Sequence, residues 1–293
     1  MLLDTKTGVP PSQTDVSRGV FGATIGLERV LKLFDKYGIK ATFFVPGHTL
    51  ESFPEDVAKI RDKGHEIGLH GYTHEHAHTL TLKQERDVLA KSIEVITTFT
   101  GKKPKGWTGP LWETSTNTVR LLEEFGLEYD HSNMHHDSQL YYLPYPAEQL
   151  VPTACGLPKG PATNPKEVTE VPASSWMKPM SALKPSSIVE VPANWHLDDW
   201  PPMQLILQSS STHGFVDPHV VEKLEAGEDG SFVFVMTIHP QVSGKPQVVL
   251  MHERLIEYIN KHEGVEWHTC EEIVKDFKAG KLGGAKVQGG VDV

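Results

Sequence analysis

The sequence has few cysteines and no long apolar run. Only two of its 293 residues are cysteines, Cys155 and Cys270, and they lie far apart in the chain. A disulfide framework is therefore not expected, and both residues are interpreted as free thiols. No apolar run approaches the length of about eighteen residues that spans a membrane. Because Met1–Asp4 also lacks the basic start and apolar core of a signal peptide, the sequence predicts a soluble cytoplasmic protein.

Basic residues are in the minority. The chain has 28 lysines and arginines against 38 aspartates and glutamates, which gives a formal net charge of −10. This balance argues against a nucleic-acid partner, and the lack of a long apolar run argues against a membrane partner. There is no internal repeat. The hydrophobic fraction of 38% is enough for a sizeable core, and the length is compatible with one large domain or two modest ones, since α/β barrels of this length are often single domains.

Helical and extended patterns alternate along the chain, as is typical of parallel sheets that are either open or closed into a barrel. Helices are predicted over Thr24–Tyr37, Pro54–Lys63, Leu82–Thr100, Ser115–Phe125, Asp217–Ala226, Pro246–His262 and Glu271–Ala279. Strands are predicted over Lys40–Val45, Glu66–Leu69, Lys105–Thr108, Glu128–Ser132, Ile188–Pro192, Ser231–Ile238 and Glu266–Thr269. Residues 1–19 are polar and turn-rich. Asn133–Pro185 has no sustained period and is predicted to be a long excursion with some short strands. We expect one domain over residues 1–279 and a flexible glycine-rich tail over residues 280–293.

A histidine-rich segment, Gly64–His78, contains five of the sixteen histidines. His70 and His74 are four residues apart at the end of a predicted strand, so their imidazoles can converge on one divalent cation. A solvated histidine-rich loop is the alternative. The strand–turn–helix context favours a site, because α/β folds place ligands at the carboxyl ends of strands. Thr81 and Gln84 then predict a capping box at the start of the next helix.

Other predicted strand ends carry polar or aromatic side chains, as expected where an α/β barrel assembles a site. The candidates are Pro110 and Trp112, then Trp195, Asp198, Asp199 and Trp200, and finally His239. Core packing is the alternative for the tryptophans, and a helix cap or turn is the alternative for the two aspartates. His239 ends the most apolar predicted strand, so it is either hydrogen-bonded in the core or functional; we favour function. His252 is expected on the surface-like face of its helix.

On these residues the sequence resembles the polysaccharide deacetylase (NodB-homology, carbohydrate esterase family 4-like) family. Within that family it is most similar to the branch of peptidoglycan deacetylase-like proteins and metal-independent allantoinases. The similar segments, in family order, are Ser17–Gly19, Thr42–His48, His70–His74, Asn194–Met203 and Met236–His239. The resemblance implies an α/β fold, a distorted and incompletely closed (β/α) barrel, that extends to about Ala279.

Two departures from the family pattern stand out. The family begins with a strand that ends in two aspartates, the catalytic base and the third metal ligand. This chain starts too late for that strand, so we expect the first strand to be missing. Either Asp4 or Asp15 substitutes as a ligand, or metal binding is weak. Thr108 stands where many members have an arginine that orients the base.

The resemblance implies a hydrolase of C–N bonds other than peptide bonds. The expected reaction is N-deacetylation of an N-acetylated sugar or polysaccharide, with a divalent metal, first of all zinc, on His70 and His74. His239 and Asp198 are then the catalytic residues. The expected substrate-binding residues are Pro110, Trp112, Trp195, Asp199 and Trp200.

Two other functions stay open at this point. The chain could be a metal-independent hydrolase of a small cyclic amide, or a non-catalytic carbohydrate-binding remnant. Because a missing strand exposes sheet edges, we also expect a homo-oligomer.

Overall fold

A six-stranded mixed sheet forms the centre of the protein. The computed structural model describes residues 13–146, 179–203 and 231–291. The strands are β1 (Thr42–Val45), β2 (Glu66–Leu69), β3 (Gly106–Trp107), β4 (Tyr129–Asp130), β5 (Tyr141–Pro144) and β6 (Pro185–Glu190). Their order is β1-β2-β3-β4-β6-β5, and only β5 is antiparallel to its neighbour. Within these residues the sheet does not close, which confirms the predicted α/β fold with an incompletely closed barrel.

Helices follow most of the strands. They are α1 (Gln13–Phe21), α2 (Leu27–Tyr37), α3 (Gly47–Ser52), α4 (Pro54–Asp62), α5 (Leu82–Thr100), α6 (Thr118–Glu124), α7 (Trp200–Met203), α8 (Pro240–Ser243), α9 (Pro246–Ile259) and α10 (Cys270–Lys278). A π-helical turn, Gly22–Gly26, joins α1 to α2. Short 3-10 helices lie at Ala77–Thr79, Pro110–Trp112 and Trp195–Leu197.

The predicted helix boundaries hold where local side chains determine them. The capping box is confirmed: the side chain of Thr81 accepts from the backbone of Gln84, whose own side chain accepts from the backbone of Thr81. Helix α2 ends at Gly38, whose φ of 66° lies in the left-handed region that favours glycine.

The start of the chain differs from prediction, because α1 lies where only turns were expected. This helix has no buried residue, so it carries no apolar stripe that a sequence pattern could detect.

The two last predicted strands are wrong. Residues 231–236 run outside any named strand, and only Thr237 forms an isolated parallel bridge, to Asp198. Residues 266–269 also form no strand. An apolar run predicts burial, but a strand also needs a partner whose backbone groups are in register. The prediction of short strands inside the excursion Asn133–Pro185 is confirmed by β5.

Residues 280–291 make backbone hydrogen bonds to other segments. The amide of Ala285 donates to the carbonyl of Leu140 at 2.8 Å, and the amide of Leu183 donates to Gly289 at 3.0 Å. The division into one domain and a tail stays a prediction. The predicted helix Asp217–Ala226, together with Asp4 and Cys155, lies outside the described residues.

The main core lies between the parallel strands and helices α2 to α6. Its fully buried members include Leu69 of β2, Ile96 of α5 and Ile188 of β6. Two smaller clusters pack β1 and α2 against α9, and β4 and β6 against α10. Cys270 has a free thiol. Within the described ranges no helix has the length and apolar character needed to cross a membrane.

Candidate active site

Successive hydrogen bonds connect residues at the carboxyl ends of the parallel strands. His70, after β2, lies with Nδ1 2.8 Å from the carbonyl oxygen of Thr108, after β3. The hydroxyl of Thr108 donates to the carbonyl of His131, after β4. His131 in turn has Nε2 3.2 Å from Oγ1 of Thr237. Residues that are distant in sequence therefore meet at one edge of the sheet, as expected for an α/β site.

His70 and His74 form a pair of neutral imidazoles. Their ring centroids are 4.8 Å apart. Burial lowers the pKa of His70 to about 4 and that of His74 to about 2. Since the Nδ1–H of His70 donates to the carbonyl of Thr108, its Nε2 keeps a free lone pair. Nδ1 of His74 is buried and has no hydrogen-bond partner among the residues that the structure describes. The neutral rings and this unpartnered nitrogen fit a divalent cation, which binds deprotonated imidazole.

The turn between the two histidines is fixed by Glu75. Its carboxylate accepts from the amide of Tyr72 at 2.9 Å and from the amide and hydroxyl of Thr73 at 2.8 and 2.7 Å. His74 has a φ of 74°, which is a rare conformation for a residue other than glycine. Backbone strain of this kind persists only where the surroundings hold it, and it concentrates at functional sites.

His239 and two aspartates form the second cluster. The bridge between Thr237 and Asp198 places the segment before His239 beside the two acids. His239 Nδ1 lies 2.7 Å from Asp199 Oδ1 and 3.6 Å from Asp198 Oδ1. Burial lowers the pKa of His239, but the hydrogen bond and the charge of Asp199 outweigh it, so the net shift is upward. His239 therefore holds a proton more firmly than a free imidazole.

Asp198 differs from Asp199 in its surroundings. Burial raises the pKa of Asp198 to about 6, and its Oδ1 accepts from the amide of Trp200 at 2.6 Å. One ligand atom from each of Asp198, Asp199 and His239 lies within 4.8 Å of the others, so this cluster is a possible metal site. A cation there would compete with the hydrogen bond between Asp199 and His239. The neutral pair His70 and His74 has no such competing bond at His74 Nδ1.

Tryptophan rings lie beside His131 and His239. Trp112 and Trp195 meet edge to face, with ring centroids 4.7 Å apart, and Trp195 is 39% exposed. Trp200 lies 5.3 Å from the ring of His239. Leu111 and Trp112 both have positive φ values, of 58° and 53°. Strain at these two adjacent residues, one of which carries a partly buried ring in contact with Trp195, is a second sign of a functional surface.

The two clusters influence each other electrostatically. After burial, the positive charge of a protonated His239 is among the causes that lower the pKa of His70 and of His74. Pro110 lies beside the histidine turn, since a Cβ on Gly71 would be 3.3 Å from its Cγ. The two histidine clusters therefore lie close enough to interact electrostatically, and Pro110 lies beside the first of them.

The third metal ligand expected from the family pattern is not found in the described residues. Asp15, one expected substitute, is ion-paired with Arg18 on α1. Across residues 13–146, 179–203 and 231–291, no group of three possible ligands includes both His70 and His74.

Sequence reasoning missed the residues behind His239. The expectation that His252 faces the surface is wrong: it is 3% exposed, and its Nε2 lies 2.7 Å from Oγ of Ser243. The spacing in the sequence could have predicted this burial, because Val248, His252 and Ile256 recur every four residues along one face of α9.

A buried acid pair, also missed, lies beneath the site. Asp130 and Glu190 face each other on β4 and β6, both fully buried, and their side chains hydrogen-bond to each other. Glu190 Oε1 accepts from the amides of Ser132 and Asn133 at 2.7 and 2.8 Å. Burial, and then the charge of Asp130, raise the pKa of Glu190 well above its usual range.

Comparison with known proteins shows which family of proteins this chain is similar to. The sequence model of the polysaccharide deacetylase family matches residues 22–129. A peptidoglycan deacetylase of Helicobacter pylori is 45% identical over 277 residues, which cover 92% of this chain and 89% of that protein. A solved structure from Mycobacterium smegmatis, assigned to the polysaccharide deacetylases, has a TM-score of 0.71 and 26% identity over 94% of this chain and 84% of its own. An allantoinase structure shares the fold, with a TM-score of 0.65 and 22% identity over 92% of this chain and 77% of its own.

Proposed function

Because the chain belongs to the polysaccharide deacetylase family, we propose that it hydrolyses the acetamide group of an N-acetylated sugar in a polysaccharide of the peptidoglycan type. One water is consumed, the C–N bond breaks, and acetate and a free amine are released. The observation that carries this proposal is that the neutral pair His70 and His74 and the carboxylate-bound His239 lie close enough to interact electrostatically. The relatives favour neither a cyclic-amide hydrolase nor a non-catalytic remnant.

His70 and His74 are the proposed metal ligands. A divalent cation bound there would polarise the amide carbonyl and lower the pKa of a bound water. The carbonyl of Thr108 fixes His70 by accepting its Nδ1–H, which directs the Nε2 lone pair away from that carbonyl. Glu75 holds the turn that carries His74. We propose zinc as the cation, since imidazole nitrogen is one of its usual ligands.

His239 is the proposed general acid. Its Nδ1–H is engaged with Asp199, so Nε2 is the atom that can give a proton to the leaving nitrogen. The carboxylate of Asp199 raises the pKa of His239, which keeps this proton available near neutral pH. Asp198 is the second proposed catalytic residue, because its buried carboxyl lies 3.6 Å from His239 Nδ1 and stabilises the imidazolium when ionised.

The remaining sequence-predicted residues are proposed to hold the sugar. Trp112, Trp195 and Trp200 offer ring faces and edges suited to the apolar side of a pyranose, and Pro110 lines the histidine turn. Asp199 was predicted to bind substrate; its hydrogen bonds to His239 lead us to propose that it acts mainly as the partner of that ring. The homo-oligomer, the cytoplasmic location and the lack of a nucleic-acid or membrane partner stay predictions.

Acetate release tests the proposal. The zinc-loaded protein is incubated with N-acetylated glycan fragments of peptidoglycan, and acetate and new primary amine are measured together. We expect the two products in equal amounts. Hydrolysis of a cyclic amide such as a hydantoin, with no acetate from any glycan, would contradict N-deacetylation.

A further inference from the structure

A line of buried polar groups continues behind His239. The Ser243 hydroxyl donates to Asp199 Oδ2, and His252 Nε2 lies 2.7 Å from the Ser243 oxygen. Asp199 Oδ2 also accepts the backbone amide of His239 at 2.9 Å, while Asp199 Oδ1 faces Nδ1 of the same residue. Ser243 is fully buried, and His252 and Asp199 are 3% and 5% exposed. Three side chains, those of Asp199, Ser243 and His252, thus connect the proposed acid to the middle of α9.

The number of donors and acceptors on each side chain determines which group donates in each of these hydrogen bonds. An ionised carboxylate only accepts, so the single hydroxyl proton of Ser243 is used on Asp199. The oxygen of Ser243 can then only accept from His252, which must carry its proton on Nε2. The other nitrogen of His252, Nδ1, is buried and has no partner within the described residues. Burial lowers the pKa of His252, in keeping with a neutral ring.

Close backbone packing holds Ser243 in place. Helix α8 begins directly after His239 and ends at Ser243, so one four-residue helix connects the proposed acid to Ser243. Its end packs against the π-helical turn, where a Cβ on Gly244 would lie 2.3 Å from Cα of Gly26. Arg29 also donates to the carbonyl of Gly244 at 3.1 Å. The hydroxyl is therefore presented to Asp199 by a backbone that has little freedom to move.

We propose that Ser243 and His252 are positioning residues for His239, acting through Asp199. The terminal torsion of an aspartate has a broad energy profile, so a carboxylate with fewer hydrogen bonds rotates more freely. The hydroxyl of Ser243 holds Oδ2 together with the backbone amide of His239, so that Oδ1 stays directed at His239 Nδ1, and His252 orients that hydroxyl. This inference rests on the proposed role of His239 as the acid. A purely structural polar core is the competing explanation, and it predicts changes in stability without a specific effect on turnover.

Matched substitutions separate the two explanations. Ser243→Ala removes the hydroxyl, His252→Leu removes the N–H donor, and His252→Gln keeps an N–H near the position of Nε2. We expect Ser243→Ala and His252→Leu to lower kcat for N-deacetylation about tenfold, the weight of one hydrogen bond, with KM changed less than about twofold. His252→Gln should restore most of kcat. His268→Leu, a substitution of an exposed histidine beside α10, is the control.

A double mutant shows whether the effect passes through His239. In the His239→Ala background, Ser243→Ala should cause no further loss of kcat, because residues that act as a unit are not additive. An equal loss in both backgrounds, or an unchanged kcat in Ser243→Ala, would overturn the proposal.

A spectroscopic measurement keeps the test independent of the proposed function. The proton on Nδ1 of His239 should give a low-field NMR signal that His239→Ala removes. We expect this signal to weaken or shift in Ser243→Ala and His252→Leu and to return in His252→Gln. If the protein releases no acetate, the proposed function fails, while the signal still decides whether Ser243 positions the ring. An identical signal in wild type and Ser243→Ala would overturn the proposal whatever the activity.

Discussion

His239 Nδ1 lies 2.7 Å from Asp199 Oδ1, closer than the 3.6 Å that separates it from Asp198. Since Asp199 is the nearer charge, Asp199→Asn should lower the pKa of His239. A general acid must carry its proton, so the alkaline limb of the kcat–pH profile should move to lower pH. Asp198→Asn is the comparison and should move the limb less. An alkaline limb that stays in place in Asp199→Asn would contradict the role of this carboxylate.

Metal binding should depend on His70 and His74 and should be weak. Two neutral imidazoles without a third protein ligand in the described residues hold a cation loosely, because structural zinc sites normally use four protein ligands and catalytic sites three. We expect zinc uptake that mild chelation reverses and that His74→Ala abolishes, measured by elemental analysis after dialysis. His78→Ala, a change at a half-exposed histidine, is the control. Stoichiometric zinc that survives EDTA would contradict weak binding, and no uptake under added zinc would contradict a site.

The pair Trp112 and Trp195 should contribute to substrate affinity as a unit. Their edge-to-face contact at 4.7 Å leaves Trp195 partly exposed. Trp195→Ala should raise KM for N-acetylated oligosaccharides with little change in kcat. A double-mutant cycle with Trp112→Ala should give a coupling of about 0.5–1.5 kcal/mol, the usual worth of an aromatic pair. Trp267→Phe is the control, because Trp267 packs against the smaller core cluster of α2 and α9. Additive effects on KM would show that the rings act separately.

The buried pair of Asp130 and Glu190 should make stability depend on pH. The pKa of folded Glu190 is raised, so the native protein keeps a proton that the unfolded chain loses above about pH 4.3. The native state then binds more protons, and this contribution to the free energy of unfolding falls as pH rises, by up to about 1.4 kcal/mol per pH unit. Glu190→Gln keeps an acceptor for the amides of Ser132 and Asn133 but cannot ionise.

The free energy of unfolding of Glu190→Gln relative to wild type should therefore increase as pH rises from 5 to 8. Urea unfolding at several pH values measures this difference, in which titrating groups that do not interact with Glu190 cancel. Glu263→Gln, at an exposed position, should show no such trend. A difference between Glu190→Gln and wild type that stays constant over this range would show that Glu190 is ionised in the folded protein.

Features set by neighbours in sequence could be predicted from the sequence. The strand Glu66–Leu69, the turn with His70 and His74, and the capping box of Thr81 all depend on residues within a few positions of each other. The alternation of helical and extended patterns along the sequence also predicted the mainly parallel sheet.

Features set by distant partners could not be predicted. Whether residues 231–236 pair as a strand depends on backbone groups elsewhere in the chain, and composition alone does not show this. The contact between Ser243 and His252 requires knowing how α8 and α9 pack. His239 Nδ1 lies 2.7 Å from Asp199 Oδ1 and 3.6 Å from Asp198 Oδ1. Because the two aspartates are neighbours in the sequence, the sequence alone does not show which of them hydrogen-bonds to His239.

The most direct measurement is acetate release from N-acetylated peptidoglycan glycan by wild type, His239→Ala and His268→Ala under identical zinc loading. We expect His239→Ala to lower kcat by about 10²-fold or more, the typical contribution of one acid–base group, with the melting temperature and KM nearly unchanged. His268→Ala should match wild type. Full turnover in His239→Ala would contradict the account and would leave His239 as a histidine that only packs and hydrogen-bonds beside Asp199.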